Sequence, residues 1–235
     1  MSRSNNTDIP NPSVHFFNWN GDTGGFRYFD KSIGEKGERV PVPLPFSFMV
    51  LDTLSTIKGY NDFEKSGYWS NEIRDIKRDI LTVKSKSGTV SKGTYEQVIT
   101  DRACSGAKYC QSVYVAIKIG GEMKIANIQM LGAALGAWID FRKKNNVYSG
   151  AITVDSFIEG KKGKTVYQIP VFRSIPASDD SNAIATDLDK QLQEYLKGYF
   201  ERTREQIAET HLAEKVTTEA PESAPPDDDS QGLPF

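Results

Sequence analysis

Residues 112–130 constrain the fold more than any other stretch of this chain. Ser112 to Ile119 and Glu122 to Met130 are each long enough for a strand, and only Gly120-Gly121 separates them. Two glycines accept the positive φ angles of a tight reversal, so the segment reads as a β-hairpin with a two-residue loop. That loop length sets the register. Lys118 falls opposite Met123 and Tyr114 opposite Asn127, all on one face, while Val113, Val115 and Ile117 give the other face a continuous apolar surface.

The flanking segments extend the pattern. Val42, Leu44, Phe46, Phe48 and Val50 alternate, which predicts a strand over 40–51; Pro41, Pro43 and Pro45 confine its first half to a sheet edge or an extended entry. Upstream, behind a loose polar arm, Phe16, Phe17, Trp19, Phe26, Tyr28 and Phe29 are broken by Asn20-Gly21-Asp22 and Gly24-Gly25, which predicts extra N-terminal strands. Residues 80–86 alternate again. Residues 87–110 hold no sustained period and read as a long connection with one short strand near 95–100. Leu131, Leu135, Trp138 and Phe141 recur at helical spacing, with Arg142, Lys143 and Lys144 in the last turn, where cations suit the helix dipole. Residues 151–158 and 165–172 form a second hairpin around Gly160-Lys161-Lys162-Gly163-Lys164. After Pro176, Asp179 and Asp180 open a helix with the stripe Ile184, Leu188, Leu192, Tyr195 and Tyr199, fraying beyond about residue 207.

Strand, long loop, hairpin, helix and hairpin is the order of an OB-fold, which binds oligonucleotides on its second and third strands and in its 1-2 and 4-5 loops. The sequence therefore predicts a mainly β (α+β) fold: an OB-fold-like five-stranded barrel over residues 1–178, with the internal helix and the extra N-terminal strands. A C-terminal helix over 179–214 and a disordered acidic tail over 215–235 complete it. From about Thr217 the chain is dominated by Pro, Glu, Ser and Asp, with too few apolar residues to offset the entropy of ordering.

Charge divides along the same line. Residues 1–178 carry 24 Lys+Arg against 17 Asp+Glu, a net +7, whereas residues 179–235 carry 5 against 14, a net −9. A cationic body suited to a polyanion is thus concealed by an overall charge of −2. Binding single strands without sequence preference needs cations along the phosphates and flat rings on which bases stack. On the first hairpin and its neighbours the candidates are Tyr114, Lys118 and Lys84. The loop in the 1-2 position supplies Lys86, Lys92, Tyr95, Lys108 and Tyr109, and the loop in the 4-5 position Lys161, Lys162 and Lys164. Tyr68 and Trp69 lie in a polar stretch, and Tyr28 adjoins Arg27; these four join the set.

The chain ends Asp227-Asp228-Asp229-Ser230-Gln231-Gly232-Leu233-Pro234-Phe235. In these nine residues it resembles the single-stranded DNA-binding proteins of bacteria and their phages, whose tails end in aspartates followed by an apolar residue, Pro and Phe. Ser230-Gln231-Gly232 departs from the usual bacterial ending, and the long 87–110 connection resembles a phage-encoded member more than a host one. The resemblance implies that Asp227, Asp228, Asp229, Leu233, Pro234 and Phe235 recruit replication or recombination proteins such as a polymerase, primase, helicase or recombinase. A terminal Phe can fill an apolar pocket while its carboxylate meets a basic side chain, with the aspartates adding long-range attraction.

Other classes receive little support. Cys104, Cys110, His15 and His211 would all be needed for one four-ligand zinc site, so the cysteines read as reduced thiols in a cytoplasmic protein. The sequence predicts no cofactor and no enzymatic activity: it contains no Walker A, His-Glu-x-x-His or Gly-x-Ser-x-Gly pattern. No apolar run is long enough for a membrane helix, and the polar N-terminus lacks signal-peptide order. Two rivals fit less well: a phage recombination mediator or annealing protein, and a virion or assembly protein whose acidic tail docks on a scaffold.

Overall fold

The computed structural model describes residues 9–62 and 64–218. It is mainly β, with strands β1 (Phe16–Asn20), β2 (Gly25–Asp30), β3 (Glu38–Val42), β4 (Phe46–Asn61), β5 (Ser66–Ser70), β6 (Leu81–Ser85) and β7 (Gly88–Gly93) in its first half. Helix α1 (Tyr95–Thr100) and a 3-10 turn at Arg102–Cys104 precede β8 (Ala107–Ile119) and β9 (Glu122–Met130). Helix α2 (Gly132–Lys144), β10 (Ala151–Lys162), β11 (Thr165–Ile175) and helix α3 (Asp179–Thr218) follow. No helix among the described residues is long and apolar enough to cross a membrane.

The 16-residue β4 organises the sheet. It pairs with β8 from Met49 to Gly59, with β5 from Lys58 to Asn61, and with β10 at Phe46 to Phe48. The sheet order is β3-β2-β1-β9-β8-β4-β5-β6-β7, with β10 branching from β4 and carrying β11. Strand pairing does not close this sheet: β11 pairs only with β10, while β1 lies parallel to β9. Two contacts nonetheless tie β11 to the β1–β2 hairpin. The Gln168 amide donates to the Gly21 carbonyl at 2.7 Å, and Trp19 Nε1 donates to the Gln168 carbonyl at 2.8 Å.

The main core lies between the sheet and α2. Phe17, Phe26, Phe46, Phe48, Val113, Val115, Ile117 and Ile128 meet Trp138 of α2 and Ile152, Val154 and Phe172 of the second hairpin. Trp138 is fully buried and meets Phe172 edge-on at 5.3 Å between centroids. A smaller core of Ile57, Tyr68, Ile73, Leu81, Val83, Val98, Cys104 and Ala107 sits under β4 to β7. By contact density the chain forms one unit through Gly198 and a second from Tyr199 onward. In the first, α3 buries Ala185, Leu192, Tyr195 and Leu196, whereas Ile184 of the expected stripe is 45% exposed.

The first hairpin follows its expected register, with Tyr114 opposite Asn127 and Lys118 opposite Met123. The proline-rich entry forms β3, an edge strand paired only with β2. Residues 87–110 differ from expectation. Where a short strand was expected at 95–100 the chain is helical, because Thr94 and Gln97 form a capping pair in which the Thr94 amide donates to Gln97 Oε1 at 2.8 Å. The basic loop also shrinks to a two-residue turn, since β10 continues to Lys162 and β11 begins at Thr165. Helix α3 continues to Thr218 rather than ending near 207 or 214. The expectations for 219–235 lie outside the described residues.

Candidate nucleic-acid interface

The end of β4 and the tip of the β10–β11 hairpin border an open groove of about 820 Å³. Lys58, Lys108 and Lys162 line it together with Trp19, Tyr60 and Tyr167; Asp62 is the single carboxylate among the lining residues. Lys58 and Lys108 are directly opposed in the β4–β8 ladder. Like charges at paired positions repel, and neither lysine has an ion pair among the described residues, so the pair favours an anion placed over it. Leu131, Gly132 and Ala133 at the start of α2 also line the groove, and no acidic residue or side-chain cap occupies that helix start. Its dipole therefore adds positive potential on the same side.

The rings are held by specific neighbours. Tyr60 is opposite Gly67 and Tyr167 opposite Gly160, so each groove tyrosine faces a strand partner without a side chain. A Cβ on Gly160 would come within 2.7 Å of the Tyr167 ring, which lies across that glycine. Trp19 is oriented by its hydrogen bond to Gln168 and packs edge-on against Phe26 at 5.1 Å. Close backbone approach forms the groove floor. A Cβ on Gly59 would collide with the Gly106 carbonyl oxygen, and Gly106 itself adopts φ +95°. Only glycine permits both features at once.

Beside the groove, a row of paired residues crosses five strands: Lys108 of β8, Lys58 of β4, Trp69 of β5, Lys84 of β6 and Thr89 of β7. Directly paired residues in antiparallel strands project from the same face. Trp69 is 42% exposed and Lys84 is exposed.

The sequence-derived set separates into three groups. Lys108 and Lys162 line the groove, and Trp69 and Lys84 lie in the adjoining row. Lys86, Lys118, Lys161 and Lys164 are exposed but line none of it, while Arg27 donates to Asn18 Oδ1 at 3.1 Å on β2. Lys92 is half-buried opposite Thr82.

Two of the remaining tyrosines, Tyr68 and Tyr114, require correction as stacking residues. Tyr68 is buried and donates to the Ala103 carbonyl at 2.8 Å. Tyr114 is fully buried: the outer face of the first hairpin is covered around Ser112, Tyr114 and Asn127, though not at Lys118, and the tyrosine hydroxyl donates to Glu72 Oε2 at 2.7 Å. Ser112 donates to the other Glu72 oxygen and accepts from Asn127 Nδ2 at 2.6 Å, and burial pushes the Glu72 carboxyl above its ordinary range. Tyr28 packs on His15 at 4.0 Å, and Tyr95 and Tyr109 meet edge-on at 5.6 Å. All three are half-buried and none lines the groove.

Sequence reasoning missed Trp19, Lys58, Tyr60 and Tyr167 as groove residues. A cross-strand glycine opposite each tyrosine was the available signal, but it becomes readable only once the pairing is known. Among the described residues no group of three or more His, Cys, Asp and Glu side chains could hold a metal ion. Both cysteines are buried free thiols, and burial pushes Cys110 up to about 12. Comparison with protein-family models, curated proteins and solved structures finds no match to this chain.

Proposed function

We propose that this protein binds single-stranded DNA without sequence preference in the groove between β4 and the β10–β11 hairpin. The observation that carries this reading is the convergence of three lysines and three partly exposed rings on one open groove, with Lys58 and Lys108 opposed and neither in an ion pair among the described residues. Phosphates lie against Lys58, Lys108 and Lys162, and bases stack on Tyr60, Tyr167 and Trp19, each stacked base contributing roughly 1–3 kcal/mol. An enclosed pocket for one small molecule would carry fewer cations.

The strand path supports an OB-like interpretation of the body. Strand β4, the β8–β9 hairpin, α2 and the β10–β11 hairpin follow the OB order, and β10 returns to β4. The groove then lies between the regions equivalent to the 1-2 and 4-5 loops. In this reading the acidic end of the chain, Asp227 to Asp229 with Leu233, Pro234 and Phe235, captures replication or recombination proteins in a bacterial cytoplasm.

Fluorescence anisotropy with labelled oligo(dT) tests the groove. Affinity should fall with salt by about 0.7 log units per log unit of salt for each phosphate neutralised. The double variant Lys58→Ala/Lys108→Ala should reduce both the affinity and that slope. Binding that is independent of salt and unaffected by the double variant would refute the proposal.

A further inference from the structure

We infer that the bound strand does not end in the groove but continues across the β4–β5–β6 face over Trp69, giving this protein a second contact region. This inference rests on the groove reading above. Lys58 connects the two regions, because it lines the groove and is also paired with Trp69. On the far side of Trp69 the next paired residue is Lys84. An exposed indole therefore lies between two lysines on one sheet face, and neither lysine has an ion pair among the described residues.

This arrangement suits a single strand on chemical grounds. A tryptophan placed only for packing would face a core, as Trp138 does at full burial; Trp69 instead presents 42% of its surface. The other side of the same arm already has its own core in Ile57, Tyr68, Leu81 and Val83. Lys58, at the edge of the groove, to Lys84 spans two interstrand spacings, roughly 10 Å. At about 3.4 Å per stacked nucleotide this accommodates up to about three nucleotides beyond the groove. Alternating cation, ring and cation is the pattern by which a polynucleotide is held irrespective of base identity. A protein segment docking here would need carboxylates to match the lysines, and would not show the length dependence described next.

The test compares oligo(dT) of about four and about twelve nucleotides on the full chain, within the span of single-strand site sizes. Trp69→Ala should weaken binding of the longer oligomer about tenfold and leave the shorter within twofold, whereas Trp69→Phe should retain most of the affinity. Lys84→Glu should lower the salt slope for the longer oligomer by about 0.7 and leave the shorter unchanged. Equal losses for both lengths, or no loss for the longer, would overturn the second region while leaving the groove reading intact. Failure of the wild-type protein to bind either length would remove both.

Discussion

Glu72 is the residue whose environment differs most from the solvent a carboxylate prefers. Burial raises its pKa, and hydrogen bonds from Ser112 and Tyr114 offset this only in part. The folded carboxyl thus keeps its proton to higher pH than the unfolded one. Its contribution to stability is complete below the ordinary value of 4.5 and is lost as pH rises through the raised folded value. Glu72→Gln abolishes this titration, so the variant should gain stability relative to wild type as pH climbs from about 4 to about 8. Urea titrations across that range measure the difference, and a difference that stayed flat would contradict a raised carboxyl. The same network explains why Tyr114 could not be placed from sequence. Its cross-strand partner on the hairpin face is an asparagine, which suggests an exposed polar surface, yet that part of the face is buried and its polar groups bond one another.

At the scale of elements, two glycines make opposite predictions. Gly59→Ala places a methyl against the Gly106 carbonyl, so β4 and β8 must separate where Gly59 pairs with Ala107. This overpacking should cost about 1–3 kcal/mol and weaken oligo(dT) binding, because the groove floor moves with it. Gly136→Ala, on the exposed side of α2 with nothing within 4 Å of the added carbon, should stabilise by up to about 1 kcal/mol and leave binding unchanged. Thermal unfolding of both variants tests the pair, and a stable, binding-competent Gly59→Ala protein would contradict the close approach.

Elements with strong periodicity were legible in advance. The Gly120-Gly121 hairpin has its expected register, and α2 and the second hairpin occupy their expected stretches. The 87–110 connection was less legible because a capping pair spaced three residues apart outweighed the β-leaning composition around Tyr95. The groove was half legible. Lysines announce themselves in loops, but a ring's usefulness depends on which residue faces it across the sheet, and long-range pairing decides that.

For the molecule as a whole the governing quantity is the uneven distribution of charge, +7 over residues 1–178 and −9 over 179–235. An anionic segment competes with nucleic acid for cationic surface, so deleting residues 219–235 should leave oligo(dT) affinity unchanged or raise it, most visibly at low salt. Anisotropy titrations at two ionic strengths provide the measurement; a truncation that lost affinity would assign the segment a direct part in binding. Partner capture, assayed with a purified polymerase or helicase, should disappear in the same variant.

Strand β4 carries Ile57, fully buried in the smaller core, immediately before Lys58, which lines the groove. Neighbouring residues on a strand point to opposite sides, so a one-position shift in pairing would turn the lysine inward and the isoleucine outward together. Misalignment therefore cannot produce a well-folded but inert protein, nor an active one with a disordered interior. Whatever forces β4 into its correct alignment for packing also sets the positive charge where a ligand can reach it.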